Sequence, residues 1–415
     1  MIVLIKTPPI FKQLYHWSLR GENGLESIAV VRYNEIALKG KNRGTFEKQL
    51  VENIRTALPD SRVSRRRGRI IVNLDRKLRD HVQRKLSRVF GIQNYSIAQV
   101  TDYDIENISE TSIHTAKELL SSGNTTFKVS TKREYKKFPV KSMELSAIIG
   151  ERILKALPQL QVNVRNPDFV IGIEVRSDGV YVFPGKIHGP GGLPTGISGK
   201  GALLLSGGID SPVAGCLAMK RGITLIAVHF SSPPYTGSRS LDKVRKLAGI
   251  LASYSDRREI ELFNVPFTEC QLTIKKCVPD KLSLLIQRRL MMRIASSLAE
   301  AEGAELLVTG ESVGQVASQT IRNLSVIDQS SSILVIRPLV CFDKLETIEC
   351  AKKYNTYNTS ILPYEDSCTV FSPLEPSTWA SKELIERAEE RLNTRELTDD
   401  ALGKVSRELV PESEV

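Results

Sequence analysis

Hydrophobic and polar residues follow two rhythms along this chain of 415 residues. A period of two marks strands, and a period near 3.6 marks amphipathic helices. From Ser27, SIAVVRY predicts a strand. RGTFEKQLVENIRTAL, with Phe46, Leu50, Ile54 and Leu58 on one face, predicts a helix. RRRGRIIVNL returns to strand, and LRDHVQRKLSRVFGI to helix through Val82, Leu86 and Val89. Such alternation in a short segment fits a small ferredoxin-like α+β unit. TSIHTAKELLSS, TFKVSTKRE and SMELSAIIGERILKAL then predict helix, strand and helix. QVNVRNPDFVIGIEVRSDGVYVFPGKI predicts strands that turn at Asp178-Gly179.

The Gly- and Pro-rich stretch HGPGGLPTGISGKG (188–201) breaks both rhythms and marks a boundary. Beyond it, strands and helices alternate: ALLLS, a helix to Arg221, TLIAVHF, a helix through Tyr254, REIELFNVPF, a helix over 281–301, AELLVTG and ILVIRPL. That is the pattern of a doubly wound parallel sheet. The expected organisation is a multidomain α/β chain: an extension over 1–26 with GENGLES as linker, units over 27–82, 83–187 and 188–395, and a C-terminal tail over 396–415 whose end, PESEV, is frayed. No internal repeat is present at a period of 20–50 residues.

Composition adds a partner class. The formal charge of +11 and pI near 9.3 favour a polyanion, nucleic acid before a membrane surface. No apolar run approaches the roughly 18 residues of a bilayer span. Lys6 and Pro8-Pro9 interrupt the N-terminal apolar stretch too early for a signal peptide, so a cytoplasmic protein is expected. The six cysteines (216, 270, 277, 341, 350 and 368) form no C-x-x-C pair, and the histidines have no zinc spacing. Reduced thiols without a structural metal are expected.

The chemistry concentrates at Ser206-Gly207-Gly208-Ile209-Asp210-Ser211, where the apolar run ALLL ends. Open α/β sheets bind ligands at this edge. Glycines let backbone N–H groups approach an anion, and a following helix N-terminus adds partial positive charge. No Gly-Lys-[Ser/Thr] follows, so the segment is not a Walker A loop. The hexapeptide resembles the pyrophosphate loop of PP-loop ATPases, which split ATP into AMP and pyrophosphate. AVHF (227–230), VTGESVGQVASQT (308–320) and IRPLVCFDKLE (336–346) end or follow other strands of the same sheet. Each alone reads as an ordinary loop; together they outline a nucleotide pocket.

Six stretches carry a more specific resemblance: VVRYNEIALKGKNRGTFEKQL (30–50), KIHGPGGLPTG (186–196), LLLSGGIDSPVAG (203–215), HFSSPPYTG (229–237), GESVGQVASQT (310–320) and ILPYEDSCTVF (361–371). In this order they are similar to the tRNA 4-thiouridine synthetases, or tRNA sulfurtransferases, of the ThiI family. The resemblance implies a ferredoxin-like domain, a THUMP RNA-binding domain and a PP-loop domain. It implies ATP- and Mg²⁺-dependent replacement of O4 by sulfur at uridine 8 of tRNA. In some members it also implies sulfur supply for thiamine thiazole. ATP would contact Leu204 and Leu205 through backbone, then Ser206, Gly207, Gly208, Asp210, Ser211, His229, Phe230, Arg288, Gly310 and Gln319. Arg289 competes with Arg288 for its role.

Asp210 and Lys344 match the family's essential acid and lysine. An acid in the loop can hold Mg²⁺, and a lysine can neutralise a transferring phosphoryl group. The plainer alternatives are a helix cap for Asp210 and a solvated helix start for Lys344. Cys368, in a polar loop, matches the cysteine that carries a persulfide. Cys216 reads as core, and Cys270 and Cys277 stay ambiguous. Two departures are expected: no C-terminal rhodanese-like domain, and KLSLLIQRRL where some archaeal members place a C-x-x-C pair. The sulfur donor, such as a cysteine desulfurase, and assembly as a homodimer stay open.

Three basic clusters are candidate RNA contacts: Lys39, Lys41 and Arg43; Arg65, Arg66, Arg67 and Arg69; and Lys132, Arg133, Lys136 and Lys137, with Tyr135 and Phe138 interleaved. A solvated charged face is the alternative for each. A PP-loop enzyme thiolating another tRNA base and a non-catalytic tRNA-binding protein are the rival readings.

Overall fold

Alternating apolar residues on β1 (Ser27–Arg32) place Ile28 and Val30 on one face of a sheet and Ala29 and Val31 on the other, all of them buried. The computed structural model describes residues 27–66, 68–74, 79–364, 371, 373 and 375–413. They fall into two units: one of residues up to Gly40, Leu58–Ser87 and Ile92–Gly191, the other of Lys41–Ala57, Arg88–Gly91 and Gly192 onward.

In the first unit, β1, β2 (Val63–Arg66), β3 (Arg69–Leu74) and β4 (Asn94–Thr101) form the ferredoxin-like order β2-β3-β1-β4, all antiparallel. β4 then pairs antiparallel with the strand Gly179–Phe183, which continues the sheet through Phe169–Arg176, Thr126–Arg133 and Gln161–Val162. The predicted units over 27–82 and 83–187 therefore share one nine-stranded sheet. The cut at 82/83 falls inside the helix Arg79–Leu86, and the cut at 187/188 inside the short strand Ile187–His188. Sequence pattern finds where elements alternate but not which strand edges are paired, and a shared edge strand hides a domain boundary. The helices Ile105–Leu120 and Ser142–Ala156 bury Ile108, Leu119, Leu145, Ile149 and Ile153 against Phe127, Phe169, Ile171 and Ile173.

The second unit includes α1 (Arg43–Ala57), whose Asn53 Nδ2 donates to Thr195 O at 2.9 Å. Gly91, at φ +97°, lets Leu50 and Pro194 close in; a Cβ there would lie 3.1 Å from Leu50 Cδ1 and 3.2 Å from Pro194. The sheet of this unit has the order Leu334–Ile336, Leu306–Val308, Lys200–Leu204, Thr224–Ser231, Glu259–Pro266, Ser406–Pro411. The first five strands are parallel, as the alternation predicts. The helices Asp210–Lys220, Ser238–Ala252 and Asp280–Ala301 pack apolar faces onto it.

The tail over 396–415 is a correction. The helix Thr394–Gly403 crosses its boundary, and Ser406–Pro411 pairs antiparallel with Glu259–Pro266. Its short, charged, Pro-terminated sequence reads as a tail because it is an edge strand, where such residues discourage further pairing. Glu408 accepts from Arg245 Nε at 2.8 Å, and Arg407 pairs with Glu261. No described helix is long and apolar enough to cross a membrane.

Candidate active site

Parallel register brings the predicted pieces to one edge. Leu204 lies beside Val228, Leu203 beside Val308, and Val308 beside Ile336, so the segments after these residues emerge together. The helix after the first of these strands begins at Asp210. Its N-terminus therefore opens on the same edge.

Two serines close the loop on itself. Ser206 N donates to Ser211 Oγ at 2.9 Å, the two hydroxyls lie 3.2 Å apart, and Gly208 N donates to Ser206 Oγ at 3.3 Å. The hydroxyls of Ser206 and Ser211, both expected ATP contacts, thus bond within the turn. Buried His229 donates from Nδ1 to Leu205 O at 2.9 Å, fixing the strand end behind the loop. Phe230 is buried edge-on to Phe267 at 5.3 Å, a packing position. Gly310 meets the loop from the other side: a Cβ there would lie 2.6 Å from Ser211 N and 2.7 Å from Asp210 C. Only glycine allows this approach.

Asp210 is the meeting point. Lys344 Nζ donates to its Oδ1 at 2.8 Å, and Gln315 Nε2 to its Oδ2 at 2.9 Å. Lys344 opens the helix Lys344–Lys353, whose N-cap is Asp343 in a capping box with Glu346. Capping thus falls to Asp343, while Ile209, at the cap position before Asp210, makes no side-chain cap bond. Gln315 lies in the stretch singled out in the sequence, but its partner was not foreseen.

Arg288 and Arg289 have different partners. Arg289 is buried and held by Glu389, at 2.8 Å from Nε and 2.9 Å from Nη2. Arg288 Nη1 donates to Glu311 Oε1 at 2.9 Å, beside Gly310. Glu311 Oε2 accepts from Arg337 Nε at 2.7 Å and from Thr309 Oγ1 at 3.0 Å. Burial pushes the Glu311 carboxyl up, but the charges of Arg288 and Arg337 and the bonds from Arg337 and Thr309 outweigh it and hold it below the usual range. This cluster was missed because its members come from separate elements. Gln319 is buried, and its Oε1, like Arg288 Nε, has no hydrogen-bond partner among the described residues.

Cys368 and Arg67 lie outside the described residues. Cys216 is fully buried, and burial pushes its thiol far up. Burial pushes Cys270 up to about 12, which keeps that thiol protonated near neutrality. Cys277 is half-buried, and Cys341 is exposed.

The basic clusters differ from one another. Arg65, Arg66, Lys132, Lys136, Lys137 and Lys41 are exposed, although Arg66 lies 3.7 Å from Asp178 and Lys132 3.2 Å from Glu134. Lys39 pairs with Glu35, and Arg43 with Glu47 at 2.7 Å. Arg133 donates to Phe138 O at 2.8 Å, bracing its own turn. Arg69 departs from expectation as an RNA contact: it is 6% exposed, between Glu174 at 2.9 Å and Glu134 at 3.2 Å. Glu174 also holds buried Arg32 at 2.8 Å. These charges pair because a lone buried arginine is costly.

Residues 28–96 match the ThiI ferredoxin-like domain, 102–183 the THUMP domain and 196–394 the family described as thiamine biosynthesis protein (ThiI). A probable tRNA sulfurtransferase of Brevibacillus brevis is 43% identical over 380 residues, 91% of this chain and 94% of that protein. The chain belongs to the tRNA sulfurtransferase family. The probable tRNA sulfurtransferase of Thermotoga maritima is 44% identical over 366 residues, 88% of this chain and 94% of its own length. The crystal structure of a 4-thiouridine synthetase–RNA complex with bound ATP is 43% identical, with a TM-score of 0.86 over 93% of this chain and all of that one. PH1313 from Pyrococcus horikoshii, 26% identical, has a TM-score of 0.63 over 79% of this chain and 99% of its own.

Proposed function

We propose that this sulfurtransferase uses ATP to adenylate uridine 8 of tRNA at O4 and then replaces that oxygen by sulfur, giving 4-thiouridine. The observation that carries the reading is the 2.8 Å pair of Asp210 and Lys344, residues 134 positions apart, at the mouth of the phosphate loop. A lysine held there by an acid is placed to neutralise charge as pyrophosphate leaves. The ATP-bound 4-thiouridine synthetase of the same family supports ATP as the substrate.

The residues fit a nucleotide. The loop backbone and helix N-terminus would receive phosphates, Arg288 would meet them beside Glu311, and the unpartnered Gln319 Oε1 would accept from a nucleotide amino group. Mg²⁺ favours carboxylate oxygen, and Asp210 is the carboxylate that would hold it, supplying charge neutralisation when bound. His229 and Gly310 keep the loop in shape. Residues 27–187 would grip the tRNA through Lys41, Arg65, Arg66, Arg67, Lys132, Lys136 and Lys137, and 188–395 would perform the chemistry.

In the sulfur step, the terminal sulfur of a Cys368 persulfide attacks C4 and AMP leaves, forming a Cys368–S–S–C4 disulfide; a second thiol then attacks Cys368 Sγ, the S–S bond breaks to release 4-thiouridine, and Cys368 is left in a disulfide with that thiol. Family resemblance supports this role, a persulfide donor such as a cysteine desulfurase, a cytoplasmic location and a second role in thiamine thiazole synthesis. The test of the activation step is tRNA-dependent pyrophosphate release. Asp210→Asn and Lys344→Ala should each lower it by about 10²–10³ and leave tRNA binding near wild type. Full release by either variant would overturn that residue's role.

A further inference from the structure

Trp379 is 68% exposed although its neighbours are tied down. Ser377 N donates to Lys281 O at 2.9 Å, Asn323 Nδ2 to Ser377 O at 2.9 Å, and Thr320 Oγ1 to Thr378 O at 3.0 Å. On the other side, Ala380 N donates to Asn323 Oδ1 at 3.3 Å, and Ala380 is fully buried. The backbone is held before and after the indole while the ring stays in solvent. The guanidinium of Arg322 lies 3.7 Å from the ring centroid, against one face. Ile321, Val316 and Val313, in the segment that leads to Arg322, are also exposed.

One chain segment connects the indole to the candidate active site. The segment that packs Gly310 on Asp210 and bonds Gln315 to it also ends at Thr320, whose hydroxyl holds Thr378. Seven residues lead from Gln315 to Arg322, which caps the distance at about 25 Å even fully extended. A rigid indole backed by a cation, open on its other face and beside a site that handles a polyanion, is the chemistry of a base-stacking platform. An enzyme that does chemistry on a base also takes that base out of its stack.

We propose that Trp379, braced by Arg322, is a positioning residue that stacks an unpaired base of the tRNA beside the adenylation site. The proposal rests on the sulfurtransferase reading. The chain has two tryptophans, Trp17 and Trp379, so Trp17→Phe leaves Trp379 as the sole indole reporter. Adding tRNA to this variant should quench its fluorescence, with ATP alone leaving it unchanged. Trp379→Ala should raise KM for tRNA about 5- to 100-fold with ATP affinity intact, and Trp379→Phe should restore part of the loss. Arg322→Ala should raise KM by a smaller factor. No quenching while anisotropy shows tRNA bound, or an unchanged KM in Trp379→Ala, would overturn the platform and leave the enzymatic reading standing. Absence of 4-thiouridine from the wild-type reaction would instead overturn that reading, while quenching would still report on the platform.

Discussion

Replacing Glu311 by Gln tests whether the buried cluster positions Arg288. The carboxylate accepts from Arg288 on one oxygen and from Arg337 and Thr309 on the other. The amide keeps the shape but turns an NH₂ donor toward one of the guanidinium groups. Removing one member of a buried ion pair typically costs about 3–5 kcal/mol. The lower end applies here, because Arg337 keeps Asp328 at 2.5 Å and the Arg288 side chain is 26% exposed. A loss of about 3 kcal/mol, with an m-value of about 3 kcal/mol/M, lowers the urea midpoint of this unit by on the order of 1 M. ATP affinity should fall about tenfold as Arg288 loses its tether. Arg288→Ala should weaken ATP at least as much but destabilise less, because Glu311 keeps Arg337. The stability gap between wild type and Glu311→Gln should be complete above the ordinary Glu value of 4.5 and close only as pH falls through the depressed native value. Urea titrations at pH 7 and pH 4 and ATP calorimetry measure all of this. An unchanged midpoint together with normal ATP binding would refute the positioning argument.

Gly310→Ala should weaken ATP binding at least tenfold, because its methyl would lie 2.6 Å from the Ser211 backbone; calorimetry showing wild-type affinity would contradict the close approach. Neutralising Arg65, Arg66 and Arg67 together should lower the salt slope of tRNA binding, measured by anisotropy, by roughly one unit or less per lost contact. Arg69→Ala should instead destabilise the first unit in urea by about 3 kcal/mol, the lower end of the range, because Glu174 keeps Arg32 and Glu134 keeps Arg176. Cys368→Ser should still adenylate tRNA but make no 4-thiouridine from a desulfurase persulfide, with free sulfide partly bypassing the loss.

The sequence shows the phosphate loop, the parallel strands and Lys344 because each is local: a glycine pair at a strand end, an apolar run, an acid–lysine pair at a helix start. It does not show which acid the lysine faces, since Asp210 and Lys344 meet only through the sheet register. The Glu311 cluster gathers residues from a helix and two strand ends, and nothing local marks them as partners. Arg69 looks like its exposed neighbours Arg65 and Arg66; Arg66 lies directly opposite it but on the edge strand β2, whereas Arg69 sits one strand further in, on β3, and reaches Glu174. The terminal strand resembles a tail because its partner edge lies about 145 residues earlier, between Glu259–Pro266 and Ser406–Pro411.

We propose sulfur transfer to tRNA driven by ATP at the Asp210–Lys344 site. Mass spectrometry of tRNA nucleosides, after incubation of unmodified tRNA with the protein, Mg-ATP and a sulfur source, tests it most directly. Wild-type protein should give 4-thiouridine at position 8, with none formed without ATP or with Lys344→Ala. Unmodified uridine at position 8 with active wild-type protein, or 4-thiouridine formed equally by Lys344→Ala, would contradict it.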